Sequence, residues 1–63
     1  NSRVVIEQAK GVLAERNAIS MDTAFAALRH HSRSNNLKIT DVALAVVRGE
    51  LAAGSVADAP DLS

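Results

Sequence analysis

The sequence predicts an all-α protein, a small three-helix bundle with a flexible C-terminal tail. Three observations carry that prediction. Apolar residues recur at the helical period in three separate segments. The gaps between them hold helix punctuation, with Ser20 placed to cap a helix start and Asn35-Asn36 placed to end one. A length of 63 residues leaves room for one domain and no more.

The first helix is predicted over about residues 2–16, where Val5, Ile6, Ala9, Val12 and Leu13 share one face. Only Ser2 offers an N-terminal cap, and the periodic pattern starts almost at once, so this helix is expected to continue a longer one. Gly11 stands in its middle beside Lys10. A mid-helix glycine costs roughly 1 kcal/mol relative to alanine when exposed, which calls for a compensating close neighbour. At about 100° per residue, Lys10 falls at the edge of the apolar stripe near Arg3, and Gly11 falls on the outer face near Val4.

The second helix is predicted over 20–34, with Ser20 as N-cap and Asp22 complementing the helix dipole. Met21, Ala24, Phe25 and Leu28 are assigned to its core stripe, and Asp22, Arg29 and Arg33 to the opposite side. The third helix is predicted over 40–52, opened by Thr40 as N-cap with Ile39 and Leu44 as a hydrophobic staple. Val42, Ala43 and Val46 give it one apolar stripe, and Leu44, Val47 and Leu51 a second, more than two short neighbours can cover. Residues 54–63 are small or acidic and include Pro60, which reads as a frayed tail. The expected domain is therefore 1–53, with 54–63 disordered.

A chain this short buries only about 60% of its unfolded surface. Here twelve of the thirty hydrophobic residues are alanines, Phe25 is the sole aromatic, and no cysteine is present to supply a disulfide. Oligomerisation or a neighbouring domain is the expected compensation. No apolar stretch is long enough to span a bilayer and no secretory signal opens the chain, so a cytoplasmic, non-membrane protein is expected. The net charge of zero is uneven: residues 1–49 hold seven basic and four acidic residues, a surplus of +3, which permits a polyanionic partner.

Arg3 and Lys10 could bind phosphate while Gly11 admits a nucleic-acid strand or another backbone; alternatively Glu7 simply pairs with both on a solvated surface. Arg29 and Arg33, four residues apart, form either a phosphate- and base-reading pair or ordinary solvated charge. Lys38 lies just ahead of the third helix, a reasonable phosphate site that Asp41 opposes. With Phe25 placed in the core, no aromatic remains for base stacking. His30-His31 point about 100° apart and lack further ligands, so no metal is expected. Catalysis lacks a cysteine nucleophile, a phosphate-cradling loop and a pocket, and neither an enzyme nor a cofactor is expected.

Taken in order, Arg3, Ile6-Glu7-Gln8-Ala9-Lys10-Gly11-Val12-Leu13, Ala24-Phe25-Ala26-Ala27-Leu28-Arg29 and Asn36-Leu37-Lys38-Ile39-Thr40-Asp41-Val42-Ala43 resemble the ANTAR domain, the RNA-binding output domain of bacterial transcription antitermination regulators. The resemblance covers about residues 2–48 and rests on three motifs in order and spacing. It implies a three-helix module, following a coiled-coil helix and a GAF, PAS or receiver sensory domain, that binds leader-transcript hairpins as a dimer and prevents terminator formation. The wording around Arg29-His30-His31-Ser32-Arg33 looks most like actinobacterial members with a GAF domain. By position, Lys10, Gly11, Arg29, Asn36 and Lys38 match the family's signature, and Ala9 matches a small residue that lets helices approach. Ala14, Thr23 and Leu37 depart from a usual methionine, acid and arginine.

The expected RNA-binding set is Lys10, Gly11, Arg29, Arg33, Asn36 and Lys38, with Arg3 as an additional phosphate contact. The alternative is a helical dimerisation or protein-interaction module using Gly11, Leu44, Val47 and Leu51; the expected homodimer forms through a preceding helix or the third helix. A DNA-binding reading would need the third helix in a major groove, and Arg48 is its only basic residue.

Overall fold

Four helices follow one another in the computed structural model, which describes residues 2–57: α1 (Ser2–Asn17), α2 (Met21–Ser34), α3 (Ile39–Arg48) and the short α4 (Ala53–Ala57). The three long helices form the predicted bundle, with α1 at its centre packing most extensively against α3 and then α2.

One alanine from each long helix, Ala9, Ala24 and Ala43, is fully buried in a single cluster with Leu13, Leu28, Val42, Val46 and Val56. Alanines let helix backbones approach, and the branched residues fill the space between them. Val5, Ile6, Val12, Ile19, Ile39 and Leu51 pack around this centre, half-buried.

All three long helices end the same way. Ala18 (φ 55°), Asn36 (φ 57°) and Gly49 (φ 80°) turn left-handed, and the next residue's N–H donates back to a carbonyl in the last turn. These bonds run from Ile19 to Ala14 (3.1 Å), Leu37 to Ser32 (2.7 Å) and Glu50 to Ala45 (2.9 Å). They are Schellman motifs, which satisfy carbonyls that the helix itself leaves unpaired. At the start of α2 the Ser20 hydroxyl accepts the Thr23 N–H at 3.0 Å, as its capping position requires.

Three details differ from the sequence analysis. Helix α3 begins at Ile39, not Thr40: its N-cap is Lys38, which makes no side-chain cap and whose carbonyl accepts from Asp41 and Val42. The helix stops at Arg48 because Gly49 takes the left-handed terminating position, so Leu51 folds back onto the core instead of extending the helix. Residues 53–57, assigned largely to the tail, form α4, and its Val56 is fully buried. The rest of the expected tail, 58–63, lies outside the described residues.

Candidate nucleic-acid interface

Phe25 is the main correction to the sequence analysis. It lies outside the core, 36% exposed, on the face of α2 that carries the arginines. Phe25, Arg29 and Arg33 are successive i, i+4 neighbours, each about 40° further round the helix than the last, so the cationic face starts at the ring. Ala24, Leu28 and Ser32 are the buried residues of this helix.

Two cations from different helices approach the ring. Lys10 Nζ of α1 lies 5.3 Å from its centroid, and the Arg29 guanidinium carbon of α2 lies 5.9 Å away. Both are within cation–π range, about 6 Å, where each contact contributes roughly 0.5–1 kcal/mol at an exposed site. The ring thus gives two long side chains from different helices a common favourable neighbour. Lys10 is the more confined, its side chain 18% exposed.

Lys10 also pairs with Glu7 Oε2 at 3.2 Å, as the solvated-surface alternative anticipated. That carboxylate is 55% exposed, and such pairs are worth only about 0.3–0.5 kcal/mol. A phosphate could therefore take its place at little cost.

A recess of about 270 Å³ opens beside the ring, walled by Phe25, Arg29, Ser32, Arg33 and Ile39. The Ser32 hydroxyl is turned inward and donates to the Arg29 carbonyl at 3.0 Å. Ile39 brings the start of α3 to this wall, with the exposed Lys38 next to it in the chain and the exposed Asn36 in the left-handed turn before it.

The structure thus brings Lys10, Arg29 and Arg33 to one basic face around Phe25, with Asn36 and Lys38 on the loop that borders it. Gly11 follows Lys10, and a Cβ there would meet nothing within 4 Å, so no neighbour among the described residues explains the glycine. Arg3 lies two turns earlier on α1, exposed. Leu44, Val47 and Leu51 fall into two places. Leu44 and Val4 line a groove between α1 and α3, whereas Val47 and Leu51 line another near Arg16, with Leu51 also packed against the chain's own core.

His30 lies 3.4 Å from the Ser34 hydroxyl, and among the described residues no three His, Cys, Asp or Glu side chains gather as metal ligands. No helix among the described residues is long and apolar enough to cross a membrane.

An all-helical bundle whose one aromatic is exposed and flanked by cations has the build of a nucleic-acid-binding module. Residues 1–47 match the model of the ANTAR domain. The chain belongs to that family, the RNA-binding output domain of antitermination regulators, which are regulatory domains and not enzymes. Comparison with curated proteins and with solved structures returned no match.

Proposed function

We propose that this domain binds hairpins in a leader transcript and so keeps a competing terminator from forming. Lys10, Arg29, Arg33, Asn36 and Lys38 supply the contacts, and Gly11 lets the RNA backbone come close to α1. The observation that carries this reading is the convergence of Lys10 and Arg29 on the exposed Phe25 ring, which holds two cations from separate helices at one place. Preorganised cations lose less entropy when they meet phosphate.

The domain acts as a homodimer, joined through a helix preceding α1 or through α3, downstream of a GAF, PAS or receiver sensory domain. The groove of about 420 Å³ between α1 and α3, bordered by exposed Val4 and Leu44, supports an α1- or α3-mediated contact. A cytoplasmic location follows from a nascent transcript as partner. The alternative function, a protein-interaction module, uses this same groove without RNA.

A gel-shift titration with a two-hairpin leader RNA tests the RNA reading. Lys10→Ala and Arg29→Ala are each expected to weaken binding several-fold. Binding unchanged by both substitutions would overturn it.

A further inference from the structure

We infer that Glu7 restrains RNA binding: in the free domain its carboxylate occupies the Lys10 ammonium, and an RNA phosphate must compete with it there. The inference rests on the RNA reading above and adds to it a residue that opposes binding.

Of Lys10, Arg29, Arg33 and Lys38, only Lys10 is held in an ion pair among the described residues. Glu7 stands three residues before it on α1, and its Oε2 accepts from Lys10 Nζ at 3.2 Å. The cation that α1 brings to the Phe25 ring is therefore already engaged by an anion of its own helix.

The distances set the sign of the effect. A phosphate oxygen that accepts from this ammonium at about 2.7–2.9 Å lies at most about 6 Å from Glu7 Oε2, because that oxygen is itself 3.2 Å from the same nitrogen. Two anions that close repel, most strongly at low ionic strength. The carboxylate either swings away, which breaks its pair with Lys10, or stays and opposes the phosphate. Each course weakens binding relative to a neutral side chain at position 7.

A carboxylate that helped by positioning Lys10 would have the opposite sign. Lys10 has a second neighbour in Phe25, with Nζ 5.3 Å from the ring centroid, and only 18% of its side chain is exposed. Its placement does not depend on Glu7 alone. Glu7 itself faces solvent over more than half of its side chain, 55% exposed, so it can leave the pair without disturbing the core.

The test is a double-mutant cycle, read by gel shift with a two-hairpin leader RNA at low ionic strength, which keeps weakened variants measurable. The proteins are wild type, Glu7→Gln, Lys10→Ala and the double variant, with folding checked by circular dichroism. Glu7→Gln is expected to bind roughly twofold tighter, the scale of one exposed helical ion pair. In the Lys10→Ala background the same substitution is expected to leave affinity unchanged. Binding by Glu7→Gln no tighter than wild type, or a gain that persists without Lys10, overturns the inference while RNA binding stands. No binding by wild type overturns the RNA reading as well.

Discussion

The Lys10 ammonium sits 5.3 Å from the centroid of the Phe25 ring, tying the middle of α1 to the second turn of α2. The contact joins the family's first motif to its second and sets where positive charge is presented. The chain has no net charge, yet Lys10 and Arg29 meet at this ring while Glu50, Asp58 and Asp61 fall late in the sequence.

Replacing Lys10, Arg29 or Arg33 by alanine removes one phosphate-binding cation each. The slope of log affinity against log salt is expected to become shallower by about 0.7–0.9 per substitution, through loss of counterion release. Filter binding at several salt concentrations measures it. A slope identical to wild type for all three variants would remove these side chains from the interface.

Gly11 separates stability from binding. Its missing side chain would project into open space, so Gly11→Ala is expected to stabilise the helix by about 0.5–1 kcal/mol. The same methyl would stand where RNA approaches, and affinity is expected to fall as Tm rises. A stabilised variant with unchanged affinity would place Gly11 outside the interface.

Ala18 and Gly49 occupy the same left-handed role at two helix ends, at φ 55° and φ 80°. Ala18→Gly is expected to gain about 0.5–1 kcal/mol, since alanine is strained there. Gly49→Ala is expected to lose about 1 kcal/mol, all of it backbone strain, because a Cβ at Gly49 touches nothing. Urea unfolding of both variants checks the opposite signs; shifts of the same sign would contradict this account of the helix ends.

Val56 makes α4 part of the folded unit. It is fully buried, and α4 touches both α1 and α2. Val56→Ala is expected to cost about 2 kcal/mol, from two lost methyl groups and the cavity they leave. For a domain of this size, with total stability of roughly 3–9 kcal/mol, the urea midpoint would fall visibly. An unchanged midpoint would mean that α4 lies outside the cooperative core.

Local chemistry made part of the fold legible in the sequence. The Ser20 cap and the left-handed Asn36 are decided by hydrogen bonds within a few residues, and both stand as read. The core stripe of α1 was equally clear, since Ala9 and Leu13 sit at its centre. Other features depended on what a segment meets in space. Gly49 carries a recognisable stop signal, but Leu51 seemed to continue the apolar pattern; it is half-buried because the chain turns back. Val56 has no periodic company in a five-residue helix, so its burial leaves no pattern in the sequence.

The candidate site was half legible. Lys10 and Arg29 stand out in the motifs and Arg33 by its spacing from Arg29, while Phe25 reads as inward because it falls on the apolar stripe with Met21, Ala24 and Leu28. The i, i+4, i+8 spacing of Phe25, Arg29 and Arg33 was the available signal that they share a face. The approach of Lys10 from α1 is a tertiary contact that no spacing within one helix could reveal.

The central claim, that RNA docks on the face around Phe25, is tested most directly by following backbone amide resonances of the protein during titration with a two-hairpin leader RNA. The largest shifts are predicted at Lys10, Gly11, Phe25, Arg29, Arg33, Asn36, Lys38 and Ile39, with Val4, Leu44 and Val47 little moved. Shifts centred on the Val4–Leu44 groove, or none at all, would contradict the account.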